Sequence, residues 1–306
     1  MADTSLAGKV AVITGAGNGL GRSHALLFAS LGARVVVNDA GVNLDGSAAG
    51  NAPADSVVEE IARAGGTAVA DHHSVADAQS AAAMIDRAVR SFGSVDILVN
   101  NAGILRDRTF AKVPLNEFEA VMRVHYLGTV YATRAAFPIM KEQHFGRIIM
   151  TSSVAGLYGN FGQSAYGSAK LAVVGLMRTL ALEGARYNVL CNAISPLAAT
   201  RMGDEFYDSK KARCFRADHV SAAVAFLCDP QTHVNGEVVI AAGGHFATLR
   251  QYETAGVYFD PLRTLTAQDI RQHWEQISNP QGSLPIGSVS QALEKAERRL
   301  SPEDAT

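Results

Sequence analysis

The sequence predicts an α/β fold, a doubly wound parallel sheet carried by a single domain with a C-terminal extension. Three observations predict it. Short apolar runs rich in β-branched residues alternate with longer amphipathic stretches along the chain. Those runs are apolar without interruption, as strands buried on both faces of a parallel sheet must be. The first run passes through a glycine-rich turn into a helical stretch.

The elements follow in order. Val10-Ala11-Val12-Ile13 reads as the first strand and residues 20–31 as its helix. Val35-Val36-Val37 is the next strand. An insertion at 40–52 follows it, with loop chemistry in Gly41, Gly46, Gly50 and Asn51. Residues 53–64 form the second helix, with Ser56 and Glu59 spaced as a capping box. A strand precedes His72 and His73, and helix 77–92 leads to the strand Ile97-Leu98-Val99. The long helix 115–142, the strand Ile148-Ile149-Met150, and helices 164–186 and 218–228 come next. Val238-Val239-Ile240 closes the pattern. Residues 1–244 form the domain. Residues 245–306 form an extension packed on it or at a subunit interface. The extension holds an extended stretch near 246–259 and a helix over 266–277 around Trp274. Asn279-Pro280-Gln281-Gly282 breaks that helix.

Composition excludes several classes. Hydrophobic residues make up 48% of the 306 and charged residues 18%, which suits a packed core and excludes wholesale disorder. Lys plus Arg is 27 against 29 for Asp plus Glu, a net charge of −2, so no nucleic-acid partner is expected. Cys191, Cys214 and Cys228 form no C-x-x-C pair and are odd in number, which argues against a disulfide scaffold and a metal site. No apolar run reaches the ~18 residues of a membrane span. The start lacks a secretory pattern, and Pro302-Glu303-Asp304-Ala305-Thr306 is not a peroxisomal address, so a cytoplasmic protein is expected.

The turn Thr14-Gly15-Ala16-Gly17-Asn18-Gly19-Leu20-Gly21 lies between strand and helix, where glycine lets a backbone approach a pyrophosphate and the helix N-terminus faces it. Asp39, at the end of the second strand, can accept from adenosine ribose hydroxyls and would repel a 2′-phosphate. No Lys or Arg stands at Asn18 or Ala40 to offset that, so NAD is favoured over NADP. The alternative for Asp39 is a plain turn residue. Tyr166 and Lys170 are four apart on one helix, so both reach the same side. An ammonium beside a phenol lowers its pKa from about 10, which would make Tyr166 a general acid/base. Ser153 ends a strand, at the edge where such sheets bind ligands.

Taken together, Thr14-Gly15-x-x-x-Gly19-x-Gly21, Asn100-Asn101-Ala102-Gly103, Ser153 and Tyr166-x-x-x-Lys170 resemble the short-chain dehydrogenase/reductase family over residues 6–244. The resemblance implies a Rossmann-type fold, a nicotinamide cofactor and oxidoreduction of an alcohol or ketone. It implies Tyr166 as acid/base, Ser153 as holder of the substrate oxygen, and Lys170 on the nicotinamide ribose. Gly15, Asn18, Gly19, Leu20, Gly21, Asp39, Ser74, Val75, Asn101, Ala102, Gly103 and Pro196 would complete the cofactor contacts. Two positions depart from the family. His125 stands where the family carries a relay asparagine, and it either replaces that group or is a packed helix residue. Leu197 follows Pro196 where the family often has glycine.

The stretches Val36-Val37-Asn38-Asp39, Asn101 to Arg108 and Gly156 to Gln163, with the 40–52 insertion, His125 and Ala199-Thr200-Arg201-Met202, are similar to the dehydrogenase module of multifunctional enzyme type 2, also called 17β-hydroxysteroid dehydrogenase type 4. That similarity implies NAD-dependent oxidation of a (3R)-hydroxyacyl-CoA. A 17β-hydroxysteroid or steroid-CoA substrate and a catalytically idle NAD-binding protein are the alternatives. Leu157, Tyr158, Phe161 and the 197–216 loop could line the acyl slot. Lys210, Lys211, Arg213 and Arg216 read as a solvated basic face, with CoA phosphates as the alternative. Arg106-Asp107-Arg108 reads as a local ion-pair turn or a substrate contact, and His72 and His73 have no metal-ligand companions. Helices 115–142 and 164–186 are apolar on more than one side, as Leu171, Val174, Leu176 and Met177 illustrate, so a homodimer or homotetramer is expected.

Overall fold

The computed structural model describes residues 5–43, 45–47, 53–199 and 213–297, in two compact units, Met1–Thr248 and Leu249–Thr306. In the first, β1 (Val10–Thr14) leads into α1 (Gly19–Ser30), β2 (Arg34–Asn38), α2 (Pro53–Arg63), β3 (Thr67–Asp71), α3 (Ala78–Phe92) and β4 (Ile97–Asn100). There follow α4 (Leu115–Met122), a π-helical turn (Arg123–Leu127), α5 (Gly128–Gln143), β5 (Gly146–Thr151), α6 (Val154–Tyr158) and α7 (Ser164–Gly184). β6 (Val189–Leu197), α8 (Ala217–Cys228), β7 (Val238–Ala242) and β8 (His245–Thr248) complete the unit.

One sheet runs in the order β3-β2-β1-β4-β5-β6-β7-β8. The first seven strands are parallel, and β8 returns antiparallel to β7. The predicted doubly wound sheet is therefore present, with its order reversing between β1 and β4. Every residue of β1 and β4 is buried, which is why these runs contain no polar alternation. α1 covers one face together with α8, and the two are joined through the buried pair His24 Nδ1 and Ser221 Oγ at 2.8 Å. Burial pushes the His24 pKa down to about 3, so this imidazole is a neutral strut.

Several local expectations are corrected. Ser56 lies inside α2, whose helical residues begin at Pro53, so it does not cap that helix. Proline fits such a first-turn position because its missing N–H has no intrahelical partner there. The helix read over 115–142 is interrupted by the π-helical turn around His125. β8 carries the sheet past Gly243-Gly244 to Thr248.

In the second unit, β9 (Tyr252–Glu253) pairs antiparallel with β10 (Leu284–Pro285). α9 (Ala267–Gln272) opens with a capping box of Thr266 and Asp269. α10 (Trp274–Ile277) follows, so the predicted helix over 266–277 is two short helices broken at His273. α11 (Val289–Glu297) returns Lys295 to the Thr254 carbonyl at 2.7 Å and to Glu253 at 3.1 Å.

The largest fully buried polar side chain is Arg147, at the start of β5. Its guanidinium donates to the carbonyls of Gly146, Asn188 and Pro230 at 2.9, 3.0 and 3.1 Å. It also lies 4.4 Å from the Phe145 ring centroid, with the Lys9 ammonium 3.7 Å from the same ring. Arg147→Met keeps the stem but leaves several buried carbonyls bare. The expected loss is roughly 3 kcal/mol, read as a lower urea midpoint; an unchanged midpoint would contradict this anchoring role.

Candidate active site

The C-terminal ends of β3, β2, β1 and β4 open into a cavity of about 350 Å³ at the reversal of strand order. It is lined by Gly15, Asn18, Gly19, Leu20, Asp39, Ser74, Val75, Asn101, Ala102 and Gly103, among others. The turn after β1 is shaped by close approach. Gly15 holds φ +62, and a Cβ on Gly21 would lie 2.2 Å from the Gly15 carbonyl oxygen, so a side chain there has no room. Asn18 precedes α1 without a side-chain capping bond, and the first turn of α1 carries no acidic residue. Among the described residues no side chain accepts from the N–H groups of that turn, which fits a dinucleotide's pyrophosphate. Asp39 accepts from the N–H of Gly17 at 3.0 Å and of Gly41 at 2.9 Å, so its carboxylate is fixed at the cavity wall.

Asn101 clasps this turn to β4. Its side-chain amide donates to the Thr14 and Gly15 carbonyls at 2.9 and 3.1 Å. The Thr14 hydroxyl accepts from the N–H of Asn101 at 2.9 Å and of Ala102 at 3.0 Å. Gly103 leaves space for the His125 ring; a Cβ there would lie 2.3 Å from its Cε1.

The catalytic candidates meet beyond the end of β5. Ser153 caps α6, accepting from the Ala155 N–H at 3.2 Å, and its side chain acts on the Tyr166 phenol to favour the ionised form. Tyr166 and Lys170 stand one turn apart on α7. The Lys170 ammonium donates to the Thr151 carbonyl at 2.7 Å and lies 5.6 Å from the Tyr166 ring centroid. The His125 ring meets Tyr166 edge-on at 5.1 Å. A hydroxyl, a phenol, an ammonium and an imidazole thus form one cluster at the end of the sheet.

A sequence profile described as short chain dehydrogenase matches residues 9–211. The chain belongs to the short-chain dehydrogenase family. Peroxisomal multifunctional enzyme type 2 of Drosophila melanogaster is 44% identical over 287 residues, 93% of this chain and 48% of that protein. Its full-length structure matches with a TM-score of 0.82 at 38% identity, covering 96% of this chain and 49% of that one. This chain therefore spans about half the length of that relative. A hydroxyacyl-CoA dehydrogenase of Mycobacterium tuberculosis is 38% identical over 291 residues, 87% of this chain and 89% of that protein. As a short-chain dehydrogenase, the chain is an oxidoreductase of CH–OH groups, in a family that uses nicotinamide dinucleotides.

Within this short-chain dehydrogenase, burial governs the protonation of the cluster. Lys170 is brought down to about 7 by burial, so at neutral pH it carries only part of its charge. His125 is brought down to about 3, by burial first and then by the charge of Lys170, against the opposing bond at Ile104. Tyr166 is raised, by burial first; Ser153 works the other way, and the charge of Asp107 raises it further. The lowered phenol expected from Lys170 is therefore not found, because burial of the Tyr166 ring outweighs what favours its ionised form.

Other predicted residues are placed apart. Gly21, Tyr166, Lys170 and Pro196 do not line the cavity; Gly21 acts by close packing, and Pro196 in β6 pairs with Ala241. Arg106, Asp107 and Arg108 make no ion-pair turn. Arg106 donates to the Asp45 carbonyl, Asp107 accepts from Gln163, and Arg108 pairs with Glu117. Tyr158 and Phe161 are exposed, as are Phe110 and Leu115. Arg216 pairs with Asp218 and Arg213 is exposed, whereas Lys210 and Lys211, with Thr200, Arg201 and Met202, lie outside the described residues. On α7, Val174 and Met177 are buried while Leu171 and Leu182 are exposed. Sequence reasoning missed Arg123 at the cavity wall and gave His73 and Arg106, which also line it, other readings. It also missed the effect of Asp107 on Tyr166.

Asp107→Asn keeps an acceptor for Gln163 but removes the charge that opposes the phenolate. The pH–rate profile for alcohol oxidation should then move to lower pH, since less alkali is needed to ionise Tyr166. A profile that stays in place or moves upward would contradict this coupling.

Proposed function

We propose that this short-chain dehydrogenase interconverts a (3R)-hydroxyacyl-CoA and a 3-oxoacyl-CoA, using NAD. The carrying observation is the cluster of Ser153, Tyr166 and Lys170 beside a cavity whose wall holds Asp39 fixed by two backbone N–H groups. A carboxylate so placed suits the two ribose hydroxyls of NAD and disfavours the 2′-phosphate of NADP. The naming of the mycobacterial relative as a hydroxyacyl-CoA dehydrogenase supports the acyl-CoA substrate. Exposed Tyr158, Phe161 and Phe110 offer an apolar surface for an acyl chain, and a backbone bridge between Arg108 and Gln163 brings two of their segments together.

Bound NAD supplies the hydride acceptor for C3 of the substrate. Ser153 holds the C3 oxygen, and Tyr166 takes its proton during oxidation and returns it during reduction. Lys170 spends one donor on the Thr151 carbonyl and keeps its remaining donors for the cofactor ribose. His125 acts as a neutral relay group. Its Nε2 lies 2.7 Å from the Ile104 carbonyl and 3.1 Å from the Ile104 nitrogen, donating to the first in one tautomer and accepting from the second in the other, while its buried Nδ1 has no hydrogen-bond partner among the described residues.

The substrate test is NADH oxidation with acetoacetyl-CoA, a longer 3-oxoacyl-CoA and a 17-ketosteroid, with NADPH as the control. Turnover of the thioesters with NADH is expected. Turnover of the steroid alone would replace the substrate, and silence on all three would favour an idle NAD-binding protein. Tyr166→Phe should lose at least about a hundredfold in turnover while still binding NADH; retained turnover would refute the mechanism. For His125, replacement by Phe should lower kcat about tenfold or more and alter its pH dependence, with His125→Asn restoring much of the rate. A Phe variant with unchanged kcat and pH profile would make His125 a packing residue.

A further inference from the structure

The run Arg106-Asp107-Arg108 carries three charges in succession, and the fold draws them apart. The Arg106 Nε donates to the Asp45 carbonyl at 2.8 Å, and Arg108 pairs with Glu117 at 3.0 Å. Asp107 is exposed, and among the described residues no Lys or Arg forms an ion pair with it. Its carboxylate is nevertheless held in place. Gln163 Nε2 donates to Asp107 Oδ2 at 2.5 Å. Asn160 donates to Gln163 Oε1 at 3.0 Å, which turns the Gln163 amide so that its nitrogen faces the carboxylate. The backbone bridge between Arg108 and Gln163 joins the two segments.

Gln163 stands directly before α7 and three residues ahead of Tyr166, so the anion is fixed at the approach to the phenol. Its charge reaches Tyr166, adding to the upward shift that burial causes and Ser153 opposes. Lys170 offers little to offset it. Its ammonium is buried, donates to the Thr151 carbonyl at 2.7 Å, and is brought down to about 7 by desolvation. An uncompensated anion placed there acts on the charge of an incoming substrate. A free 3-oxo or 3-hydroxy acid carries a carboxylate at C1, close to the reacting C3, and two like charges in a partly desolvated site repel. In a thioester C1 is neutral. The phosphates of CoA lie a whole pantetheine arm away, where solvent and salt screen them.

We propose that Asp107 is a specificity-determining residue that turns away free 3-oxo and 3-hydroxy acids by like-charge repulsion and admits their neutral thioesters, with Gln163 and Asn160 holding the carboxylate in position. The proposal rests on the reading of the site as one that interconverts hydroxyacyl and oxoacyl thioesters. It names what that site excludes.

The test compares NADH oxidation with acetoacetate and with methyl acetoacetate, a neutral ester of nearly the same size, at neutral pH. Acetoacetyl-CoA is the reference substrate. The quantity read is the ratio of kcat/KM for the ester to that for the acid. The intrinsic reactivities of the two ketones are the same with every variant, and a shift in Tyr166 acts on both alike, so a change in the ratio reads the charge. In Asp107→Asn and in Asp107→Ser the ratio should fall about tenfold, through better use of acetoacetate. Raised salt should lower the ratio in the unmodified protein and leave it steady in the variants. A ratio unchanged in both variants, or equally salt-dependent in all three proteins, would overturn the role of Asp107. Turnover of the ester without turnover of acetoacetyl-CoA would overturn the acyl-CoA reading and leave the ratio to decide the role of Asp107. Turnover of neither would overturn both.

Discussion

The clasp between Asn101 and the end of β1 is the interaction on which the rest of the site depends. One side-chain amide holds the carbonyls of Thr14 and Gly15, and one hydroxyl takes the N–H groups of Asn101 and Ala102. Two strands far apart in sequence are thereby locked at the place where the order of the sheet reverses. The glycine turn keeps its shape because Gly15 and Gly21 lie against backbone with no Cβ between them. The clasp is made by Thr14, Gly15, Asn101 and Ala102 alone, so none of the N–H groups of α1 is used up in holding the turn. They remain available to an anionic ligand.

The clasp also sets the position of the catalytic candidates. Gly103, two residues on, leaves room for His125, and His125 bonds the backbone of Ile104 while its ring edge meets Tyr166. The π-helical turn at Arg123–Leu127 is the local distortion that carries this imidazole. Burial then works in the same direction on all three titratable groups: it favours neutral Lys170, neutral His125 and protonated Tyr166. A site of neutral donors and acceptors suits proton movement in both directions, which a reversible alcohol–ketone interconversion requires.

Much of this architecture was legible in the chain. β1, β2, β4, β5 and β7 were visible because they are buried on both faces and therefore written in unbroken apolar residues. β3 and β6 were harder to see for physical reasons. β3 is built on Ala68 and Ala70, which carry little β preference. β6 includes Asn192, Ser195 and Pro196. Asn192 belongs there because its amide donates to Val234 and accepts from Glu237, substituting for strand partners. The capping box at Ser56 had the right spacing in the wrong place, since spacing does not say where a helix begins. The cavity wall was legible at Gly15, Asn18, Gly19 and Asp39 because strand–turn–helix chemistry is local.

The sequence by itself determined the alternation of strands and helices, the glycine turn, and the pairing of Tyr166 with Lys170 one helical turn away. All of these follow from periodicity or spacing within a short stretch of chain. Only the tertiary structure decided the protonation of that pair, because desolvation depends on what covers a group and not on its neighbours in sequence. The same is true of His73. Beside His72 in the sequence it has no visible partner, and its anchoring arises when β2 and β3 set Asn38 and Asp71 against it. Hydrogen bonds that fix a tautomer come from whichever strands are adjacent, and strand order is a property of the folded sheet.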